Sequence, residues 1–434
     1  TVADAKTGAI LASGASPSFD ANKLNMQSYL NPLVSYAYEP GSTMKIFSFM
    51  TAIDNDLYDG DETYMSGTIE VSDATIKDFN NVGWGRISFD EGFNYSSNVA
   101  ATILSQRLGK DKLNEYYARF GFGTKTGITL PDEVNGSIKF NYPTEIATAA
   151  FGQGITTTPI QNIQALTTIA NDGVMLKPYI VSKIVDSNTK KVKYEAKREE
   201  LGQVVKKSTT DKMKEMIHNV VTSGKTDARL FRSNLVNIIG KSGTAQIPNP
   251  NGRGYLSGTY DYIRSFAMLF PYEDPKYIIY FSVKQFEGPY KNAAAAVVNI
   301  IDEIVKYKNL EQKLENATSN NIITLDNFVN TDVESAKEKL KTAGLIAVIL
   351  GNGTTVTKQY PNKETTVLIG SRVFLKTNSA FTLPDVTGYT KSELIALCTL
   401  LNINYEIVGS GKVVSASAAS GSQISNDKIT FNLE

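Results

Sequence analysis

The segment Ser42-Thr-Met-Lys45 combines a hydroxyl and an amine at a spacing that could support nucleophilic chemistry. Residues three apart on a helix share a face, so the Lys45 amine can lie against the Ser42 hydroxyl. A serine at its ordinary pKa is a poor nucleophile, and a lysine can act as its base when burial or a neighbouring cation lowers the lysine pKa. The apolar residues up to Asp54 predict a buried helix here. The alternative role for Ser42 is a simple helix cap.

The segment Ser96-Ser-Asn98 is the second candidate. The Ser96 hydroxyl could relay a proton toward a leaving amine, while the Asn98 amide could hold a substrate carbonyl or the lysine. The alternative is an ordinary polar cluster at the start of a helix, and the tripeptide alone favours that alternative.

The third candidate, Lys241-Ser-Gly-Thr244, lies in an apolar run that predicts a strand. On a strand, Lys241 would place a cation at the edge of a cleft, and Gly243 would allow close backbone approach. The Thr244 N–H could then donate to an oxyanion, beside the N–H of Ser42. The alternative is a strand with a glycine bulge.

The composition excludes several other kinds of site. The 434-residue chain has one cysteine, Cys398, and one histidine, His218. A zinc site needs about three or four such ligands, so we expect no metal site, and we expect neither a cofactor nor an intrachain disulfide. A Ser-His-Asp triad would have to use His218, which lies on a predicted amphipathic helix and is more typical of a surface or core residue. The formal net charge is zero and no long basic cluster occurs, which argues against a nucleic-acid binder.

The elements that must position these residues mix helices with strands. The apolar periodicity predicts helices at Ser42–Asp54, Ser96–Leu108, Pro159–Ala170 and Asn292–Tyr307, and strands at Leu235–Ile247, Ile263–Phe270 and Tyr277–Val283. Helices gathered beside an antiparallel sheet indicate an α+β domain. Because the chain begins inside a predicted hairpin, we expect a further N-terminal portion with a membrane anchor to precede Thr1.

A polar stretch at 309–321 predicts a linker, and an internal repeat follows it. Thr324-Leu-Asp-Asn-Phe-Val-Asn330 aligns with Thr382-Leu-Pro-Asp-Val-Thr-Gly388, and Gly351-Asn-Gly353 aligns with Gly409-Ser-Gly411. Each copy predicts a short strand, a helix and then strands around a Gly-x-Gly turn. We therefore expect a first domain at 1–308, the linker at 309–321, and small αβ repeats at 322–378 and 379–434.

The three motifs follow one another in the order found in penicillin-binding proteins and class A β-lactamases. With their flanking residues they resemble the active-site motifs of class B penicillin-binding proteins, and the repeats are similar to PASTA domains. The first repeat departs from that pattern at Asp326 and Asn330, where proline and glycine are usual. The first domain carries the resemblance at Asp4-Ala-Lys-Thr-Gly8, Glu39-Pro-Gly-Ser-Thr-Met-Lys45, Asn94-Tyr-Ser-Ser-Asn98, Phe151-Gly-Gln-Gly-Ile-Thr-Thr-Thr-Pro-Ile-Gln161 and Gly240-Lys-Ser-Gly-Thr-Ala-Gln246.

The resemblance implies a penicillin-binding transpeptidase domain of α+β fold, similar to serine β-lactamases, followed by two PASTA repeats. It implies a peptidoglycan D,D-transpeptidase that cross-links stem peptides through an acyl-enzyme during cell division. Ser42 would attack the penultimate D-Ala carbonyl, with Lys45 as general base. Ser96 would pass the proton to the leaving amine, and Asn98 would position the substrate amide.

The resemblance also implies a binding role for the third motif. Lys241, Ser242 and Thr244 would hold the terminal carboxylate of the stem peptide, with Gly243 completing the binding strand. The N–H groups of Ser42 and Thr244 would form the oxyanion hole. A β-lactam would acylate Ser42 by the same route and remain attached.

The implied partners are stem peptides, β-lactam antibiotics and membrane proteins of the division machinery, including a glycosyltransferase. The implied location is the outer face of the cytoplasmic membrane of a Gram-positive bacterium, at the division site. The alternatives are a serine β-lactamase or penicillin sensor, a D,D-carboxypeptidase with water as acceptor, and a non-catalytic wall-binding protein. Motifs alone do not determine the deacylation rate, although β-lactamases usually lack C-terminal repeats.

Overall fold

The computed structural model describes residues 1–18, 22, 28–308, 310, 322–368, 371–409, 412–423 and 428–433. The chain divides into two compact units, Thr1–Leu314 and Glu315–Glu434. The predicted linker at 309–321 lies outside the described residues, apart from residue 310, and so do residues 410 and 411 of the second Gly-x-Gly turn.

The first unit combines short strands with helices. Its strands are β1 Val2–Asp4, β2 Ile10–Ala12, β3 Thr63–Met65, β4 Thr68–Val71, β5 Ala74–Lys77, β6 Arg86–Ser88, β7 Val174–Leu176, β8 Lys183–Val185, β9 Val192–Glu195, β10 Glu200–Gln203, β11 Ile239–Gln246, β12 Tyr262–Phe270 and β13 Tyr277–Lys284. Its α-helices are α1 Pro32–Ser35, α2 Lys45–Asp54, α3 Phe89–Asn94, α4 Asn98–Arg119, α5 Pro143–Ala149, α6 Pro159–Ala170, α7 Lys207–Ser223 and α8 Tyr290–Tyr307. Short helical turns lie at Gly41–Met44 and Asp227–Phe231.

A five-stranded sheet, in the order β11-β12-β13-β1-β2, forms the centre of this unit. All of its pairings are antiparallel. The β11–β12 register runs without interruption from Ile239 opposite Leu269 to Gln246 opposite Tyr262, so the alternative of a glycine bulge is wrong. β11 lies at one edge of the sheet, where alternate backbone groups face away from its partner strand.

The helices confirm the prediction of an α+β domain. α2 is buried on almost every side, and α6 is buried along its whole length, as the continuous apolar runs predict. α4 extends beyond the predicted end at Leu108 and is interrupted at Gly109. The predicted strand from Leu235 begins at Ile239 instead, because the preceding apolar residues are buried without being paired.

The second unit repeats one topology twice. Its strands are β14 Ile322–Thr324, β15 Ile346–Leu350, β16 Val356–Tyr360, β17 Thr366–Leu368, β18 Arg372–Thr377, β19 Tyr405–Gly409, β20 Val413–Ala416 and β21 Ile429–Leu433, and its helices are α9 Val333–Thr342 and α10 Lys391–Leu401. Three-stranded sheets form in the orders β15-β18-β16 and β19-β21-β20, each with one parallel and one antiparallel pairing. Where the first repeat has strand β14, the described part of the second repeat has a bridge between Thr382 and Gln423.

The two repeats share part of their core. Leu350 and Phe374 of the first repeat pack in the same apolar cluster as Leu394 and Phe431 of the second. An ion pair of 3.0 Å between Arg372 and Glu393 also joins the repeats. The second unit is therefore held together by contacts between its repeats as well as within them.

Among the helices that the structure describes, none combines the length and the apolar character needed to cross a bilayer.

Cys398 occupies the same place on α10 that Leu340 occupies on α9, and each is 1% exposed. Burial raises the pKa of the Cys398 thiol to about 12. Because the thiolate is the reactive form, we expect labelling by a thiol reagent at pH 8 to be on the order of a hundredfold slower in the native protein than in urea. A colorimetric disulfide-exchange assay measures both rates. Fast labelling of the folded protein would contradict the buried position.

Candidate active site

The structure brings the three motifs together at one cleft. Ser42 comes from the short turn before α2, Ser96 and Asn98 from the start of α4, and Ser242 from the edge strand β11. The cleft has a volume of about 370 Å³ and is lined by Ser42, Phe79, Ser96, Asn98, Phe151, Gln153, Lys225, Thr226, Asp227, Arg229, Ser242 and Thr244.

The turn that carries Ser42 is packed closely against its neighbours. Gly41 has a φ of +58°, and a Cβ atom there would lie 2.8 Å from the Thr244 carbonyl oxygen. The Gly41 N–H donates to the Gly152 carbonyl at 3.1 Å. On the facing strand, a Cβ atom at Gly243 would lie 2.8 Å from the Pro40 carbonyl oxygen. The absence of side chains at these positions lets the turn that carries Ser42 lie directly on β11 and on the glycine-rich turn after α5.

The Lys45 amine is fully buried and points toward the second motif. It donates to the Ser96 carbonyl at 2.6 Å and to Asn98 Oδ1 at 2.8 Å, with a longer contact of 3.3 Å to the Ser96 hydroxyl. Among the described residues, no hydrogen bond joins this amine to the Ser42 hydroxyl, although the sequence places both groups on one face. Burial lowers the pKa of Lys45 well below its ordinary value, the charge of Lys241 lowers it further, and Asp78 opposes the shift.

The Lys241 amine reaches the same serine from the opposite side. It donates to the Ser96 hydroxyl at 2.8 Å and to the Ser242 carbonyl at 3.1 Å. Burial lowers the pKa of Lys241 to about 7. The Ser96 hydroxyl thus lies between two buried amines whose pKa values are both lowered, and this arrangement can move a proton near neutral pH.

Ser96 and Ser97 have different structural roles. Ser97 caps α4, because its hydroxyl accepts from the Ala100 N–H at 3.1 Å. Ser96 precedes the cap and has a φ of 60°, which is unusual for a residue with a side chain. The helix-start interpretation therefore accounts for Ser97 and leaves Ser96 directed into the cleft.

The third motif lies along β11 with alternating orientation. Ser242 and Thr244 line the cleft, and Lys241 is buried beneath it. Gly243 is buried and faces Pro40 and Ser265. Its position favours a role in letting the strand approach the turn that carries Ser42.

Sequence reasoning missed two buried carboxylates beside the motifs. Asp78 follows β5 and is 1% exposed. Glu39 accepts hydrogen bonds from the Gly154 N–H and the Tyr255 hydroxyl, at 3.1 Å in each case, and burial raises the pKa of its carboxyl group. Glu39 directly precedes Pro40-Gly41 in the segment Glu39–Lys45 that carries the family resemblance, so the sequence already placed it near Ser42. Asp78 lies far from every motif in sequence and had no local signal.

One wall of the cleft has no recognisable motif in the sequence. It lies between α7 and β11 and is lined by Lys225, Thr226, Asp227 and Arg229. The Lys225 amine lies 5.0 Å from the centre of the Tyr95 ring, next to the second motif.

The lone histidine lies outside the cleft. His218 is on α7, where its ring stacks on Tyr272 with a centroid distance of 4.3 Å, and burial lowers its pKa. Across the described ranges, no group of three or more His, Cys, Asp or Glu side chains is arranged to hold a metal ion.

Comparison with known families agrees with this architecture. The family described as "Penicillin binding protein transpeptidase domain" matches residues 1–306, and the PASTA domain matches residues 323–379 and 381–434. The chain therefore belongs to the penicillin-binding protein transpeptidase family, in its class B form with two C-terminal PASTA domains.

Individual proteins show the same similarity. The curated protein "Stage V sporulation protein D" of Bacillus subtilis (strain 168) is 30% identical over 387 residues, which cover 85% of this chain and 59% of that protein. The crystal structure of penicillin binding protein 2X from Streptococcus thermophilus aligns with a TM-score of 0.66 at 28% identity, over 100% of this chain and 67% of that chain.

A further structure is of penicillin binding protein 3 from Mycobacterium tuberculosis, complexed with ampicillin. It aligns with a TM-score of 0.64 at 28% identity and covers 73% of each chain. This chain spans roughly half the length of the curated relatives that it matches, from 44% to 59% for the first two.

The glycine-rich turn after α5 lies in close contact with the turn that carries Ser42, through Gly152 and Gly41. A Cβ atom at Gly152 would collide with the backbone oxygen of Gly41, whereas one at Gly154 meets nothing nearer than the Thr148 hydroxyl at 3.5 Å. We expect Gly152→Ala to slow acylation of Ser42 by penicillin about tenfold or more, because the turn must shift.

Gly154→Ala is the matched control, since the φ angles are similar, +82° at Gly152 and +75° at Gly154. Both variants therefore carry comparable backbone strain, and only the first displaces the turn. Stopped-flow acylation kinetics and thermal melts measure the two effects. Equal loss of acylation in both variants would contradict the steric explanation.

Proposed function

We propose that this chain is a peptidoglycan D,D-transpeptidase that forms an acyl-enzyme on Ser42. The observation that carries the proposal is the Ser96 hydroxyl, which contacts the Lys241 amine at 2.8 Å and the Lys45 amine at 3.3 Å. The Ser96 hydroxyl joins these two buried amines to the cleft that Ser42 and Ser96 both line, beside an edge strand suited to binding an extended peptide. Membership of the transpeptidase family supports the reaction type.

In the first step, the Ser42 oxygen forms a bond to the penultimate D-Ala carbonyl carbon of a stem peptide. The bond from that carbon to the terminal D-Ala nitrogen breaks. The proton of Ser42 passes by way of Lys45 and Ser96 to the departing nitrogen. The lowered pKa of Lys45 supports this assignment, since part of the amine is then neutral and able to accept a proton.

The third motif holds the substrate during this step. Lys241, Ser242 and Thr244 bind the terminal carboxylate, Lys241 through its positive charge from beneath the cleft. Gly243 keeps the strand close to the turn that carries Ser42. The N–H groups of Ser42 and Thr244 stabilise the oxyanion. Asn98 positions the substrate amide, in line with its place on the cleft wall.

In the second step, an amine from a neighbouring strand attacks the acyl group and releases Ser42, which produces a cross-link. A β-lactam takes the place of the stem peptide in the first step, and its opened ring stays attached and blocks the second. The relative that was crystallised with ampicillin supports this part of the proposal.

Intact-mass spectrometry after incubation with ampicillin tests the proposal. We expect an adduct of one drug mass on the wild-type chain and none on Ser42→Ala, because the acyl bond forms on the Ser42 oxygen. Rapid drug hydrolysis without a lasting adduct would show a β-lactamase instead. Neither adduct nor hydrolysis would favour the non-catalytic wall-binding protein, provided that a thermal melt shows a folded chain.

The pKa values of the two amines predict a bell-shaped pH profile for acylation. The rate constant should rise as Lys45 loses its proton and fall above about 7, where Lys241 loses the charge that binds carboxylate. Second-order acylation rate constants between pH 5 and 10 measure both limbs. Lys241→Arg keeps its charge throughout this range, so its descending limb should move to higher pH. An unmoved descending limb would show that another group controls it.

We extend the proposal to the whole protein. It acts at the outer face of the cytoplasmic membrane at the division site, with membrane proteins of the division machinery, including a glycosyltransferase, as partners. The proposal includes a Gram-positive source, which rests on the resemblance of the motifs and repeats; relatives that cover 73% or more of the chain come from Bacillus subtilis, Mesostigma viride and Caulobacter vibrioides. The proposed domains are 1–308, 322–378 and 379–434, joined by the linker at 309–321, and we propose that the PASTA domains localise or brace the enzyme.

A further inference from the structure

Asp78 is a buried carboxylate that contacts the second motif without lining the cleft. One of its oxygens accepts from the Ser97 hydroxyl at 2.8 Å, the Asn98 N–H at 2.7 Å and the Val99 N–H at 3.1 Å. The other oxygen accepts from the Gly67 N–H at 2.8 Å. Four hydrogen bonds therefore hold this side chain at the start of α4.

These bonds fix the turn that presents Ser96. The first N–H groups of a helix have no partner within the helix, and a carboxylate that accepts two of them restrains the preceding turn. The Asn98 side chain is tied to the same place, because its amide donates to the Lys77 carbonyl at 2.9 Å. This contact leaves Asn98 Oδ1 directed at Lys45, 2.8 Å from the amine.

The restraint matters because the Ser96 backbone is strained. Its φ of 60° persists only when the surroundings hold it on both sides. The Lys45 amine holds the Ser96 carbonyl from one side, and the Asp78 carboxylate holds the next three residues from the other.

Asp78 also brings a negative charge to a site that contains two buried lysine amines. Lys45 from α2 and Tyr64 from β3 interact electrostatically with Asp78, and Lys241 from β11 reaches the same turn through the Ser96 hydroxyl. The charge of Asp78 favours the protonated form of Lys45, against the effects of burial and of Lys241. Burial raises the pKa of Tyr64, with a further contribution from Asp78, so Tyr64 stays neutral.

We propose that Asp78 is a positioning residue for acylation: it holds the Ser96–Asn98 turn between the two buried amines and offsets the positive charge of Lys45. This inference rests on the proposed function. Asp78 acts through Lys45, Ser96 and Asn98 and does not itself touch substrate.

The competing explanation is a helix cap that only stabilises the fold. Glu133 provides a matched control for that explanation. It is 7% exposed, and it accepts from the Thr126 N–H at 2.7 Å, the Thr126 hydroxyl at 2.6 Å and the Gly127 N–H at 3.1 Å. It therefore has a comparable set of partners but lies outside the cleft lining.

The experiment compares Asp78→Asn with Glu133→Gln and wild type. The measured quantity is the second-order rate constant for acylation by ampicillin between pH 5 and 10, with thermal melts in parallel. We expect Asp78→Asn to lower the maximal rate constant about tenfold or more, because the turn loses its restraint. We also expect its ascending limb to move to lower pH, because removing a negative charge disfavours the Lys45 ammonium.

Glu133→Gln should lower the melting temperature and leave the profile in place. The proposal is overturned if Asp78→Asn keeps the wild-type profile, or if Glu133→Gln loses acylation to the same extent with the same shift.

Should Asp78→Asn fail to fold, Ser97→Ala removes one bond to Asp78 but keeps the charge of Asp78. That variant should acylate more slowly with unmoved limbs, and a wild-type rate would overturn the proposal. Absence of any adduct on the wild type would instead overturn the proposed function, and this role of Asp78 with it.

Discussion

The arrangement on which the rest of the site depends is the burial of two lysine amines around one serine hydroxyl. Lys45 and Lys241 are each 0% exposed, and like charges at such proximity oppose one another in a medium of low dielectric constant. A buried ammonium is costly unless it is hydrogen-bonded or loses its proton. The protein uses both solutions: the pKa values of both amines are lowered, and each amine has oxygen acceptors within 3.1 Å.

The surrounding elements follow from that constraint. Acceptors for Lys45 come from a strained turn, and a strained turn needs restraint from outside itself. The edge strand must lie close enough to the turn that carries Ser42 for Lys241 to reach Ser96, and small residues at Gly41 and Gly243 permit that approach. The positions of Ser42 and Lys45 therefore depend on β11 and on the start of α4.

Much of this architecture could be predicted from the sequence, because apolar periodicity reports burial and the motifs report order along the chain. α2 and α6 were predicted in this way, as were the three long strands of the sheet. Apolar character alone misplaced the start of β11, since Leu235 and Val236 are buried without pairing in the sheet. Periodicity marks which side chains avoid water, not which backbones are hydrogen-bonded.

The site was predictable only in part. Ser42, Ser96 and Lys241 each stand in a short motif, and the motif order suggested that they meet. Spacing within the first motif does not give the direction of the Lys45 amine, but the residue types of the second motif do, since the Asn98 amide was one of the groups expected to hold the lysine and it accepts from Lys45 at 2.8 Å. Asp78 and the wall from Lys225 to Arg229 have no local pattern, and they reach the cleft only through the tertiary fold.

The shared core of the two repeats has a consequence for how the second unit evolved and folds. Leu350 and Phe374 are each 1% exposed in a cluster completed by the second repeat. Burying one such side chain contributes about 1.5–3 kcal/mol, so a single repeat would lose a substantial part of its stability. The two repeats therefore depend on one another for part of their stability. A substitution in this shared core would affect the stability of both repeats. The sequence of one repeat therefore cannot change there independently of the other.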